Sequence, residues 1–281
     1  MSLSPKSLIL DLLSTVPQGS MPVSALVAAA RLFAISENNL RVTLVRLRAA
    51  RMIEPDDRGR YRLAHGSAPV GKHVIAWRDL EQRVQAWDGK WIGVHTAAVQ
   101  RSQRRAHRLG DRALRFLGFE RFDAGLHLRP DNLTGGVEVV RRQLYDLGLD
   151  AKALVFGIHE LDTTGERRAR RLWNVTALRD GYRASLAALT KSERRLNELP
   201  AHAALVESFG LGRRVIRQIV LDPLLPEPLV PAGDRAALVQ AMCRYDRAGR
   251  VCWSAFLKQA IATTARERRP SSIRTKQGEA A

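Results

Sequence analysis

Hydrophobic positions at the start of the chain recur at helical spacing in three short runs. Leu8, Ile9, Leu12 and Leu13 share one face of a helix predicted over residues 4–14, with Ser4 as N-cap and Pro5 at the first helical position. Pro17, Gly19 and Pro22 then interrupt the pattern. A second helix is predicted over residues 23–32, with Leu26, Val27 and Ala30 inward. After the turn Phe33-Ala34-Ile35, Ser36 caps a third helix whose buried stripe is Leu40, Leu44 and Leu47; position N3 is Asn39, so the full capping box is absent. Short strands are predicted at 52–54 and 60–63, around the turn residues Pro55, Asp56, Asp57 and Gly59. Three helices followed by a tight hairpin is the order of a winged helix-turn-helix.

Further along, a helix over 72–87 is expected to link to a second domain, after a loop at 65–70 holding Gly66 and Pro69. WIGVHT, from Trp91, reads as a strand, 102–117 as an Arg-rich helix, and 119–122 and 125–129 as two strands. A helix over 137–147, ended by Gly148, and a strand over 153–159 complete a βαββαβ order, the ferredoxin-like pattern. Beyond Gly165 the text is helical, with candidates at 167–174, 176–189, 199–209 and 213–220. The segment LDPLLPEPLVP cannot be a continuous helix because proline lacks the amide donor. Helices at 234–245 and 251–264 follow. The expected fold class is therefore α+β: an N-terminal winged helix-turn-helix (1–65), a linker helix (66–88), a central ferredoxin-like, Cas2-like domain (89–162), a mainly helical C-terminal domain (163–264) and a disordered basic tail (265–281).

Charge changes the picture most. Lys and Arg number 46 against 28 Asp and Glu, a net charge of +18, and Arg supplies most of it. Arginine stays protonated and its planar fork matches phosphate oxygens, so the balance points to a polyanionic partner such as nucleic acid. The 45% hydrophobic content is enough for ordinary cores. Cys243 and Cys252 form neither a disulfide framework nor a zinc pattern. No apolar stretch has the length of a membrane span, and the N-terminal apolar run is too interrupted for a signal peptide. A cytoplasmic protein without a cofactor or membrane partner is expected.

A recognition helix must expose side chains that reach base edges while its other face packs inward. The third helix offers Asn38 and Asn39, which suit adenine, Arg41 and Arg46, which suit guanine or phosphate, and Val42 and Val45, which suit a thymine methyl. Arg48 and Arg51 lie later on the helix and suit phosphate. In the wing, Arg58 and Arg60 flank Gly59 and suit a minor groove or the backbone. Operator DNA is the expected partner. A solvated arginine face or a protein-interaction adaptor is the competing reading.

Several motifs carry a resemblance. They are ISENNLRVTLVRLRAARMIE with the wing RGRYRL, WRDL with WDGKWIGVHT, LRFLGFERFDAGLHLRPDNL, RRLWN, and IVLDPLLPEPLVP from Ile219 to Pro231. Together, over about 5–262, they resemble the PaaX family of bacterial repressors, named for phenylacetic acid catabolism. The resemblance implies a winged helix, a ferredoxin-like domain and a helical domain. It also implies a homodimer that represses a catabolic operon until an acyl-CoA thioester, typically phenylacetyl-CoA, releases it. One departure is Ala232-Gly233-Asp234, where family members often carry a Trp and a Gly.

Other candidates lie in the middle of the chain. A Cas2-like nuclease places an Asp at the end of the first strand, where this chain has His95-Thr96. Alternation puts His127 and Arg129 on the side opposite Leu126 and Leu128, and His159 opposite Phe156 and Ile158. These three residues are the candidate face for an anionic effector or a partner subunit. Gly135-Gly136 before a helix matches no phosphate-loop or dinucleotide spacing. The region from Arg101 to Arg121 holds seven Arg and two acids and is a candidate to run along DNA.

Overall fold

The computed structural model describes residues 3–15, 20–56, 59–64, 76–97 and 104–267. The chain is mixed α+β with two small antiparallel sheets. It forms two compact units, residues 1–64 with 250–281, and residues 65–249.

The first unit contains α1 (Pro5–Thr15), β1 (Ser20–Pro22), α2 (Val23–Leu32), α3 (Glu37–Ala49), β2 (Ile53–Pro55) and β3 (Arg60–Leu63). Leu8, Ile9, Leu12 and Leu13 from α1 meet Leu26 from α2, Leu40, Leu44 and Leu47 from α3, and Ile53 from β2, all buried. Full burial of each such side chain contributes about 1.5–3 kcal/mol before ordering costs. β1 was not foreseen. It pairs antiparallel with β3, Met21 opposite Tyr61, and β3 pairs with β2, Ile53 opposite Leu63, so the order is β1-β3-β2.

The second unit is built on a four-stranded antiparallel sheet of β4 (Trp91–His95), β5 (Glu120–Asp123), β6 (Leu126–Pro130) and β7 (Leu154–Ile158), in the order β5-β6-β4-β7. Between strands lie α4 (Arg104–Phe116) and α5 (Gly136–Asp146). Helices α6 (Thr163–Ala169), α7 (Val175–Arg195), α8 (Ala201–Val220) and α9 (Ala232–Glu267) follow, and the division between units falls within α9. The linker helix expected over 72–87 starts outside the described residues, at 72–75; from Ala76 to Arg83 the chain forms a 3-10 segment kinked at Asp79.

The hydrophobic core of this unit runs without a break from Trp77 to Tyr245 and crosses the boundary expected near residue 163. Trp91 of β4 stacks on Trp173 at 6.2 Å and donates from Nε1 to Glu166 at 2.8 Å. The proline-rich segment is pinned from both sides. Asp222 accepts from the Leu224 amide (2.8 Å) and from the Tyr182 hydroxyl (2.6 Å), while Asn132 donates to the Leu224 carbonyl at 2.7 Å. These bonds hold Leu224 at φ 54°, a conformation costly for a residue with a Cβ. RPDNL and IVLDPLLPEPLVP, far apart in sequence, are thus partners in one buried network.

Candidate nucleic-acid interface

Helix α3 begins where Ser36 Oγ accepts from the Asn39 amide at 3.3 Å, satisfying one of the unpaired donors of the first turn. At 100° per residue, Leu40, Leu44 and Leu47 occupy one narrow arc and are buried. The arc directly opposite holds Asn38, Val42, Val45 and Ala49, all exposed, Val45 by 66%. Arg41 and Arg48 flank it on one side, Asn39 and Arg46 on the other. Seven of the residues expected to face DNA therefore lie on one outward surface: Asn38, Asn39, Arg41, Val42, Val45, Arg46 and Arg48.

Their side chains differ in availability. Arg41 is committed to Glu37, with Nε at 2.9 Å and Nη2 at 2.6 Å from the same carboxylate oxygen. That hydrogen bond is the main cause holding the Glu37 carboxyl below the usual range, with Arg31 adding to it. Arg46 and Arg48 have no side-chain partner among the described residues. Arg60, expected in the wing, is half-buried and turned inward. Its guanidinium donates to the Ser20 carbonyl (2.8 Å) and Ser20 Oγ (3.1 Å), fastening β3 to β1. Arg58 lies outside the described residues.

The effector face expected from His127, Arg129 and His159 does not assemble. Cross-strand pairing puts Ile92 opposite Arg129 and Val94 opposite His127, so both share the face of the fully buried Ile92 and Val94. Arg129 is buried and its donors go to the Pro130 carbonyl (3.0 Å), the Leu117 carbonyl and Asn132 Oδ1 (3.0 Å). Burial pushes its guanidinium down to about 9. His127 is half-buried, and desolvation holds its imidazole below the ordinary value. His159 is exposed, four residues beyond the Val155 that shares a row with Val94 and His127, or about 13 Å further along the strands. Alternation identified the shared side correctly, but that side is packed, as is the opposite one, where Trp91 and Leu128 are buried.

A more open concave surface lies elsewhere in the second unit. A cleft of about 440 Å³ between the 3-10 segment and α9 is lined by Arg78, Glu81, Val239, Cys243, Arg244 and Arg247. Arg78 is paired with Asp246 at 2.5 Å, whereas Arg244 and Arg247 are exposed without a partner among the described residues. Sequence reasoning missed this group because Arg78 and Arg244 come together only through packing. Among the described residues, no group of three or more His, Cys, Asp or Glu is placed to hold a metal ion, and no helix is long and apolar enough to cross a membrane.

The fold is similar to that of a solved structure, the uncharacterized protein Rv0674 from Mycobacterium tuberculosis. The two share 22% sequence identity with a TM-score of 0.56, over 89% of this chain and 100% of that one. At this identity the likeness is one of fold. No protein-family model matches the chain, and no curated protein does.

Proposed function

We propose that this protein is a DNA-binding transcriptional regulator that reads operator DNA with α3. The observation that carries the reading is the outward arc of that helix. It combines two amides, two exposed valines and two arginines without a side-chain partner among the described residues. Exposed β-branched residues between polar ones suit a major groove, where amides and guanidinia bond base edges and methyl groups meet thymine. The order α1-β1-α2-α3-β2-β3, with β3 central in its sheet, supports a winged helix-turn-helix. The order β5-β6-β4-β7, with a helix in each crossover, supports a ferredoxin-like central domain.

The PaaX resemblance adds three elements: repression of an aromatic-acid catabolic operon, a homodimer, and release by an acyl-CoA thioester such as phenylacetyl-CoA. A dimer would set two α3 helices about 34–36 Å apart on the operator, one DNA turn. For the thioester, the cleft of Arg78, Arg244 and Arg247 replaces the His127–Arg129–His159 face, since guanidinia over an apolar floor of Ala236 and Val239 suit phosphates joined to an organic chain.

A gel-shift titration on the protein's own upstream region, with and without aryl-CoA thioesters, tests the reading. Saturable binding that one thioester abolishes is expected, with Arg244→Ala weakening release and leaving DNA affinity alone. Arg46→Ala should cost about 1–3 kcal/mol on the operator and relax specificity at one position. Binding without sequence preference, unchanged by Arg46→Ala, would overturn the assignment to α3.

A further inference from the structure

We infer that α4 is a second DNA-binding element, a ladder of arginines that grips the phosphodiester backbone of duplex DNA independently of base sequence. This rests on the reading of the chain as a DNA-binding protein, but it involves a different unit and different residues.

The geometry is regular. Arg105, Arg108, Arg112 and Arg115 follow one another at intervals of three, four and three residues. At 100° per residue they fall within an arc of about 80° and rise about 15 Å along the axis. All four are exposed. Gly110, Ala113, Leu114 and Leu117 are buried and centre on the opposite side, so the ladder points directly away from the core. One strand of duplex DNA carries a charge every 3.4 Å of axis, so a 15 Å row of guanidinia runs past about four phosphates.

Ion pairing is sparse on this helix. Elsewhere in the unit, several arginines on or at the ends of helices meet carboxylates: Arg141 with Glu138, Arg170 with Glu166, Arg179 and Arg183 with Asp234, Arg195 with Glu207. On α4 the described residues include no Glu, and no side-chain ion pair to Arg105, Arg108, Arg112 or Arg115 occurs among them. The one acid on the helix, Asp111, offers Arg115 only its backbone carbonyl, at 3.2 Å from Nε. A face meant only for solvent gains from i,i+4 Glu–Arg pairs and loses from like-charge neighbours. Arg115 is drawn toward the Glu120 carboxylate just beyond the helix, while Arg105, Arg108 and Arg112 have no side-chain ion pair among the described residues, so the row is stabilised once phosphates supply the missing charge. A lipid surface is the poorer fit, because an interfacial helix interleaves its cations with apolar anchors and the outer face here offers only the half-exposed Leu109.

The test compares the full-length chain with Arg105→Gln/Arg108→Gln/Arg112→Gln/Arg115→Gln, and with a charge-matched control, Arg167→Gln/Arg171→Gln/Arg214→Gln/Arg217→Gln, built on exposed arginines outside α4. A single pair, Arg108→Gln/Arg112→Gln, serves if the quadruple variant loses its circular dichroism. Affinity for a duplex of arbitrary sequence is measured against salt concentration. Each lost phosphate contact lowers the slope of log K on log[salt] by about 0.9. The α4 variant should therefore lose about 2–4 from the slope and at least tenfold in affinity, while the control stays near the parent. On an operator, the ratio of specific to arbitrary binding should be unchanged by the α4 variant and reduced by Arg46→Ala.

An unchanged slope overturns the ladder, as does an equal loss in the control, which would make the effect one of net charge. Absence of any binding to arbitrary duplex at low salt also overturns it. Loss of binding to phosphatidylserine vesicles with no change on DNA would assign the helix to a membrane surface and overturn it too. Salt-steep binding through α4 without any preferred operator would leave the ladder standing and remove the regulator reading.

Discussion

At the scale of single residues, two of the motifs that carry the resemblance, RPDNL and IVLDPLLPEPLVP, meet in buried structural bonds. Arg129 and Asn132 of RPDNL are buried and their donors end on carbonyls, including that of Leu224 in the proline-rich segment. Removing Asn132 leaves the Leu224 carbonyl and one Arg129 donor unpaired in the core, each costing about 1–3 kcal/mol. Asn132→Ala should therefore lower stability by about 2–4 kcal/mol in urea denaturation; a loss below 0.5 kcal/mol would mean the network relaxes or admits water. His127 supplies a pH signature. Desolvation is the main cause holding it below its ordinary value, and Nδ1 has no hydrogen-bond partner among the described residues. The folded chain therefore refuses a proton that the unfolded chain accepts below about pH 6.5. Stability from this residue is present above that pH and is lost as acid approaches the folded value. Replacing it by Gln, which does not titrate, should flatten the fall in Tm between pH 7 and 5; an unaltered pH profile would place the acid sensitivity in other groups. Alternation in the sequence revealed that His127 and Arg129 share a side, but that this side is buried rather than open is a tertiary fact.

Among elements, those with strong local periodicity were legible to within one or two residues. β3 was read at 60–63 and α2 at 23–32, as found. β1 escaped because Ser20, Met21 and Pro22 have no period of their own, and their pairing comes from β3, some forty residues later. Helices α8 and α9 were each read as two pieces because Gly210, Gly212 and Gly249 suggested breaks. In the structure, Gly212 lies where a Cβ would stand 3.4 Å from Met242 of α9, and Gly249 where one would stand 3.5 Å from Ser208 of α8. A Cβ at either would make ordinary van der Waals contact, so these glycines sit within continuous packed helices without ending them. One other glycine is dictated by backbone conformation. Gly118 has φ +75°, and a Cβ there would lie 2.7 Å from the Pro223 backbone, so Gly118→Ala should cost about 2–5 kcal/mol. The turn between α2 and α3 shows the converse. Exposed Ala34 sits at φ 55°, where glycine is favoured, so Ala34→Gly should raise stability by about 0.5–1 kcal/mol. Thermal melts of the two variants read both effects, and a destabilising Ala34→Gly would show that flexibility in the free chain outweighs the relieved strain.

For the whole molecule, the net charge of +18 suits a polyanionic partner but does not say how many surfaces would meet one. Composition sums over the chain, whereas α3 and α4 belong to units with separate cores. The first core is built from Leu8, Ile9, Leu26, Leu40 and Ile53, the second from residues between Trp77 and Tyr245. Two cores with their own buried side chains need not melt together, and a single two-state transition is the expectation for one cooperative domain. Calorimetry should show two overlapping transitions. Leu26→Ala, which opens a cavity in the first core, should cost about 2–5 kcal/mol and move one of them; Leu128→Ala should move the other by a comparable amount. If either substitution shifts both transitions equally, the units unfold as one. Duplex DNA of arbitrary sequence then adds a second reading. A ligand held by α4 stabilises the unit that contains it by mass action, so non-specific DNA at low salt should raise the transition sensitive to Leu128→Ala. An operator read by α3 should raise the one sensitive to Leu26→Ala as well.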